Sequence, residues 1–455
     1  ERHYGKGPEF DPMRFNPDKL DTDQWVAAAE AMGAQYIVLV AKHHDGFCLW
    51  QTETSEYSIR NTPWKNGKGD IVAELSRSCR KRDMALGVYL SPQDHGFGAS
   101  GGGGCRTEQD QERYNKVYRQ QLTELLTRYG RMAEVWFDGG LVVPVSDIIQ
   151  KHAPDAVVFQ GPAASIRWVG NESGFAPYPA WNAISKRSAR SGRATAKHGR
   201  PDGAVWMPNE CDTKIRSKWF WMTNNANSLK SLDVLMDTYY RSVGHGAVLL
   251  LNQNPDRSGQ IPDQDFKRGA EFAAEVRRRF GKSLAQAKGR GKSLTLDLKG
   301  GSLVDHVITM EDIAHGERIR SYRIEGFVDG AWIQLCAGTA VGHKKIDRFE
   351  PVRMEKIRLT VSESVGSPMI RDFSAYHTAA SPTHMKPNPA NAKRITLTIP
   401  ANVKGGTSFD LSAQIKDPGQ YTLTFNVKDK EALPKRSNLR LLIDGRKASE
   451  YLTES

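Results

Sequence analysis

Between about residue 20 and residue 283, short apolar or β-branched runs alternate with longer amphipathic stretches of helical period. Asp23 to Met32 (DQWVAAAEAM) predicts a helix, and Gln35 to Ala41 (QYIVLVA) is apolar on both faces, as a strand covered on two sides must be. The same beat predicts a helix over 70–82 and a strand from Ala85 to Leu90. A long helix over 108–129 follows, with Gly130 placed for a left-handed stop, and then a strand from Ala133 to Phe137. Further strands are expected at Ala156 to Gln160, Ala204 to Met207 and Ala247 to Leu251, with helices over 228–242 and 264–280. Apolar strands alternating with helices on this scale imply a parallel sheet covered by helices. Residues 1–283 are therefore expected to form an α/β domain, a (β/α)8-like (TIM-type) barrel.

Beyond Ala287 the period changes to two. Ser293 to Leu298, His306 to Met310, Ile319 to Ile324, Trp332 to Leu335 and Ile357 to Val361 read as strands separated by turns such as Asp329-Gly330, so 284–380 is expected to be a β-sandwich. A Pro-rich linker over 381–389 leads into a third, β-rich piece, 381–455, with runs at Arg394 to Ile399, Gln420 to Val427 and Leu439 to Ile443. That piece reads as cut short. Gly101 to Gly104 reads as a flexible loop tip.

The longest apolar runs are far shorter than the roughly 20 residues a membrane-spanning helix needs, so no membrane span is expected. The chain carries 64 Lys+Arg against 52 Asp+Glu, a net charge of +12. Because the charges are interspersed, solvated faces are expected and no nucleic-acid partner. The exception is Lys186 to Arg200, a basic stretch with no acid between Glu172 and Asp202, either a plain surface loop or one that contacts an anion. Five scattered cysteines without a CxxC pair predict free thiols, with neither a zinc site nor a disulfide framework.

In a barrel the chemistry sits where strands end at the C-terminal face. The segments there are Lys42-His43-His44-Asp45-Gly46-Phe47, Ser91-Pro92-Gln93-Asp94, Asp138-Gly139-Gly140 and Asn209-Glu210-Cys211-Asp212. Asp138 can serve as a nucleophile or metal ligand, or simply cap a helix. Glu172, beside Arg167 and Trp168 in a Gly-flanked loop, can be held partly desolvated so that its acid form persists, or it can be an ordinary surface glutamate. Together they supply the two carboxyls a glycosidase needs. His43 and His44 can bind metal or sugar hydroxyls; their adjacency lacks the i, i+4 spacing of a helical zinc site. Trp206, Trp219, Phe220 and Trp221 crowd around Glu210 and Asp212, a mixture that suits either a carbohydrate pocket or a core.

These segments, taken in order, resemble glycoside hydrolase family 29, the α-L-fucosidases. The likeness runs from about Phe15 to Phe280 through Ala41 to Phe47, Gly87 to Pro92, Glu134 to Gly139, Arg167 to Glu172, Glu210 to Asp212 with Trp219 to Trp221, and Leu249 to Asn252. The Arg-Trp-Val-Gly-Asn-Glu string is most similar to the subgroup acting on α-1,3/1,4-linked fucose. The resemblance implies a retaining exo-α-L-fucosidase with Asp138 as nucleophile and Glu172 as acid/base, secreted or periplasmic, needing no metal or other cofactor. Its substrate-binding set falls on His43, His44, Trp50, Tyr89, Arg167, Trp168, Glu210, Asp212, Trp219 and Trp221, and its partner is a fucosylated oligosaccharide. The 284–380 domain resembles the family's carbohydrate-binding-like domain. Two departures stand out. The family's first barrel strand is missing before Glu1, so an open barrel of reduced stability and activity is expected, and Gln93 stands where a Trp usual to the family contacts the aglycone. The competing readings are a non-catalytic carbohydrate-binding protein on a degenerate barrel and a metallohydrolase using His43, His44, Asp45 and Asp138. Nothing in the sequence sets the oligomeric state.

Overall fold

The structure is a computed structural model that describes residues 11–190 and 197–379, together with strands over 393–399, 421–427, 436–443 and 446–454. The chain divides into two compact units, Glu1–His384 and Met385–Ser455.

Helix α1 (Thr22–Met32) starts at Asp21, whose carboxylate accepts from the Asp23 and Gln24 amides, and stops at Gly33 with φ +82°. It leads into β1 (Tyr36–Lys42). Asp70 caps α2 (Ile71–Lys81), which precedes β2 (Ala85–Leu90). Thr107 caps α3 (Glu108–Arg128), and Gly130 follows at φ +91° before β3 (Glu134–Trp136). A short helix that the pattern does not announce, α4 (Ser146–His152), precedes β4 (Val157–Phe159). Strands β1 to β4 pair in parallel in chain order.

The next elements are β5 (Arg167–Trp168), β6 (Ala183–Ile184), α5 (Lys186–Arg190), β7 (Val205–Trp206) and β8 (Asn209–Lys214). After them come α6 (Leu232–Arg241), β9 (Val248–Asn252) and α7 (Asp263–Phe280). Here the structure corrects the sequence reading. The apolar run Ala204 to Met207 gives only β7, paired antiparallel with β6, whereas the polar segment expected as a loop, Asn209 to Asp212, is the interior strand. β8 lies between β5 and β9 in a parallel sheet.

A parallel bridge from Phe159 to Ile166 links the two sheets. Both contribute to one interior: Tyr89, Trp136, Phe159 and Ile166 pack with Val38, Trp168, Val248 and Leu250, so β1 to β5 and β9 all face the same core. The rings of Tyr89, Trp136 and Phe159 stack in series, with centroids 5.1 and 4.1 Å apart. Among the described residues no pairing joins β1 to β9, and the sheet is not closed. Side chains along these two strands are correspondingly half-buried, with Val40 37% exposed.

The rest of the first unit is a six-stranded antiparallel sheet. Its strands are β10 (Ala285–Arg290), β11 (Ser293–Glu311), β12 (Ile319–Val328), β13 (Ala331–Gly338), β14 (Lys345–Ser364) and β15 (Met369–Tyr376), in the order β10-β15-β11-β14-β12-β13. Two runs expected as separate strands are the halves of β11, which shifts register between Asp297 and Ser302. Leu296 and Val307 from those halves meet Ile324, Ile357 and Phe373 in one core, so the sheet folds over itself like a sandwich. In the second unit β16 (Lys393–Ile399) pairs in parallel with β17 (Tyr421–Val427), and β18 (Arg436–Ile443) pairs antiparallel with β19 (Arg446–Glu454). The Pro-rich linker and residues 191–196 of the basic stretch lie outside the described residues. All five cysteines are free, and no described helix is long and apolar enough to cross a membrane.

Candidate active site

Asp138 stands two residues beyond the last residue of β3. Its Oδ2 accepts a 2.7 Å hydrogen bond from the Tyr89 hydroxyl and lies 3.3 Å from His44 Nε2, while 38% of its side chain stays open to solvent. Burial, with the Asp138 charge beside it, holds the Tyr89 phenol well above its usual range, so it stays a proton donor to the carboxylate. His44 Nδ1 is 2.6 Å from the Ser91 hydroxyl, which itself donates to the Gln93 carbonyl. Burial pushes His44 below its ordinary value despite the opposing pull of Asp138. The His43 ring stacks on Tyr89 and meets the edge of Phe220 at 5.0 Å.

The turn carrying both histidines is fixed from beneath. Lys42, fully buried at the end of β1, donates to Asp94 Oδ2 and Gln121 Oε1 at 2.9 Å each and to the Tyr114 hydroxyl at 3.4 Å. A buried cation needs such partners, and these draw the ends of β1 and β2 onto the body of α3. The loop leaving Asp138 is held from the side as well. The Gly102 carbonyl accepts from the Val142 amide at 2.9 Å, and a Cβ on Gly102 would approach the Gly140 carbonyl to 3.0 Å. Gly101 to Gly104, expected as a loose tip, is thus packed against the loop leaving Asp138.

Glu172 follows β5. Its Oε2 accepts from Trp219 Nε1–H at 2.8 Å and sits 3.5 Å from Lys214 Nζ, which lies 4.7 Å from the Trp219 ring centre. Its side chain is 55% exposed. The expected desolvated seat beside Trp168 and Arg167 is therefore corrected: the glutamate is open, and its neighbours are Trp219 and Lys214. Asp212, on β8, ties the two carboxyls together. Its Oδ1 accepts from Trp168 Nε1–H at 2.6 Å, and burial, with the charges of Glu172 and Asp138 adding, raises its carboxyl to about 6. Both candidate catalytic carboxylates thus lie within electrostatic reach of one buried group.

Three residues expected to touch substrate do not face the opening. Trp50 is fully enclosed in the core, with Nε1–H donating to Glu124 at 2.8 Å. Arg167 is fully buried and donates to the Trp181 carbonyl. Glu210 is fully buried beneath Trp136, whose Nε1–H it accepts at 2.8 Å, and burial raises it to about 7. Arg167 and Glu210 are polar residues on strands within motif segments, and a strand hides every second side chain from the pocket it borders, whereas Trp50 lies in the loop after β1 and turns into the core. Trp221 is half-buried near Trp219 in sequence, and Gln93 Nε2 contacts His95 at 2.6 Å. Sequence reasoning missed Ser91, Lys214 and the Lys42 anchor; a lysine ending an apolar strand was the available signal for the last. His43, His44 and Asp138 each bring a donor atom within 4.8 Å of one another, close enough for a divalent ion.

A family model described as Alpha-L-fucosidase matches residues 1–274. "Alpha-L-fucosidase 1" of Arabidopsis thaliana is 32% identical over 448 residues, 88% of this chain and 85% of the relative. A Bacteroides thetaiotaomicron crystal structure named for the same activity is 39% identical, with a TM-score of 0.77 over 82% of this chain and 90% of that one. A Ruminococcus gnavus GH29 fucosidase in complex with fucose is 28% identical, with a TM-score of 0.73 over 82% of this chain and 88% of that one. The open carboxylate at the end of β3, held by a phenol and lying beside an imidazole, thus belongs to a glycoside hydrolase, and the chain is a member of the α-L-fucosidase family, glycoside hydrolase family 29.

Proposed function

We propose that this fucosidase retains anomeric configuration, with Asp138 attacking the anomeric carbon of a terminal fucose and Glu172 protonating the departing oxygen. Glu172 then takes a proton from water as the water opens the fucosyl ester. The observation that carries this reading is the setting of Asp138: an exposed carboxylate at a strand end, oriented by the Tyr89 hydroxyl, with the His44 ring 3.3 Å away. The exposure of Glu172 beside Trp219 supports the acid/base role, which needs a carboxyl open to exchange with solvent. His43, His44, Trp168, Asp212, Trp219 and Trp221 form the sugar-binding set, and the parallel strands are read as an arc of a (β/α)8-type barrel. The preferred bond is α-1,3 or α-1,4, on the likeness of Arg167 to Glu172 to that subgroup, and an exported location follows from the same likeness. No metal takes part, so saturating EDTA should leave the rate unchanged; loss on chelation and recovery with added zinc would favour the metallohydrolase reading built on His43, His44, Asp45 and Asp138.

Proton NMR of the first-formed sugar tests the stereochemistry. Retention gives α-L-fucose before mutarotation, and initial β-L-fucose would overturn the double displacement. Glu172→Ala should cost on the order of 10²-fold or more on natural glycans and much less on a nitrophenyl fucoside, whose leaving group needs little protonation. Equal losses would remove Glu172 from the acid role.

A further inference from the structure

The segment between β5 and β6 carries Glu172 near its start and then leaves the parallel strands to lie against the antiparallel sheet. Two anchors hold it there. The Tyr178 hydroxyl accepts from the Thr339 and Ala340 amides at 2.8 and 3.1 Å and is 3.1 Å from the Ala340 carbonyl oxygen, to which it donates. Four residues on, the Asn182 backbone N–H donates to Glu317 Oε2 at 3.0 Å, and its side-chain Nδ2–H donates to Oε1 at 2.7 Å. Glu317 precedes β12, so both anchors are supplied by the sheet domain.

The second anchor reaches further. Asn182 Oδ1 accepts from the Asn209 amide and its Nδ2 at 3.3 and 3.4 Å, at the first residue of β8, the strand that carries Asp212 and Lys214. Beside it the Trp181 carbonyl accepts from Arg167 of β5, and the Arg320 guanidinium lies 4.9 Å from the Trp181 ring centre. A carboxylate taking two donors from one asparagine leaves that residue a single orientation, and here that orientation also sets the start of β8. The Glu172 end of the segment is fastened to the barrel side, where Gly174 packs so tightly that a Cβ would come within 2.9 Å of Thr213 and Thr238. A shift at Asn182 is therefore passed to both sides of the Glu172 contacts: the segment itself and the strand holding Lys214.

We propose that Glu317 is a positioning residue for the proton donor, acting across the domain boundary through Asn182 and aided by Tyr178, so that the antiparallel sheet is part of the catalytic apparatus. The inference rests on the role of Glu172 proposed above. A misplacement of order 1 Å at a general acid can cost up to about 10²-fold in rate, and it costs most where leaving-group protonation matters most.

The test is a double-mutant cycle in the full chain with Glu317→Ala, Glu172→Ala and the pair, assayed on aryl fucosides spanning good to poor leaving groups. Glu317→Ala should lower kcat about tenfold on the poorest leaving groups and less than about twofold on the best, with KM little changed. In the Glu172→Ala background the same substitution should cost nothing further, because a residue acting through Glu172 has nothing left to act on. Glu317→Gln, which keeps one acceptor, should fall between, and Tyr178→Phe should show the same leaving-group pattern; these milder changes serve if the alanine variant does not fold. Losses equal across leaving groups, or additive with Glu172→Ala, would overturn the positioning role and leave Glu172 as acid/base. If Glu172→Ala itself shows no leaving-group dependence, the underlying reading fails instead.

Discussion

At the scale of single residues, the account turns on a carboxylate that must be exposed enough to attack and fixed enough to aim. Tyr89 supplies the fixing with one short hydrogen bond to Asp138. Tyr89→Phe should lower kcat by roughly 10- to 100-fold while leaving the thermal midpoint nearly unchanged, as expected for loss of one preorganised donor at the reacting atom. A matching loss of stability without loss of kcat would make Tyr89 merely structural. Asp212 offers a test of opposite sign. Its folded value of about 6 lies above the ordinary 3.8, so the stability that its neutral form contributes is complete below about pH 4 and is lost as pH rises through 6. Asp212→Asn keeps an acceptor for Trp168 Nε1–H and should stabilise the protein at pH 7.5 by about 1 to 3 kcal/mol, with a gain that vanishes toward pH 4. The same change should reduce turnover, as stabilising changes in a charged pocket commonly do. A gain in Tm independent of pH would show that Asp212 does not titrate in this range.

At the scale of elements, helices α1, α2, α3 and α7 were legible because each carries an apolar stripe, and three of the four carry an Asp or Thr cap as well. Strands β1, β2 and β9 were legible as unbroken apolar runs. β8 was not. Within Asn-Glu-Cys-Asp-Thr-Lys, the carboxyls of Glu210 and Asp212 take hydrogen bonds from the Trp136 and Trp168 indoles and the Tyr36 hydroxyl, partners that sequence spacing cannot display. Trp50 was misread for the converse reason, since an aromatic near a histidine pair looks the same in sequence whether it lines a pocket or fills a core. The motif positions Asp138 and His44 converge in the structure because each lies two residues past the same end of β3 and β1, the strands on either side of β2, a placement the alternation of helix and strand already implied. Lys42 shows how that convergence is maintained. Lys42→Met should cost about 3 to 5 kcal/mol, because Asp94 is left buried without its cation, and the companion change Asp94→Asn should recover part of the loss. Both Tm and kcat/KM should fall in Lys42→Met; an unchanged kcat/KM would show that the His43-His44 turn does not depend on this anchor.

At the scale of the whole molecule, the buried acids leave a signature in the pH dependence of stability. Burial raises Glu210 and Glu317 to about 7 and Asp212 to about 6, so each contributes stability at low pH that is lost as pH rises through those values. Buried His245, pushed down to about 4, works the other way, losing its contribution as pH falls below 6.5. Three such acids outweigh one such histidine, so the thermal midpoint should fall as pH rises from about 4.5 to about 7 and level off above it, and a midpoint that rises across that window would contradict the assignment of these carboxyls to the interior. Stability and chemistry share this interior, since Glu210 braces Trp136, Trp136 stacks on Tyr89, and Tyr89 holds Asp138. The most direct test lies at the end of that chain. Incubation with a slow fluorinated fucosyl reagent, followed by digestion and peptide mass mapping, should place one fucosyl ester on Asp138. A label on any other side chain, or turnover without a trapped ester, would contradict the mechanism.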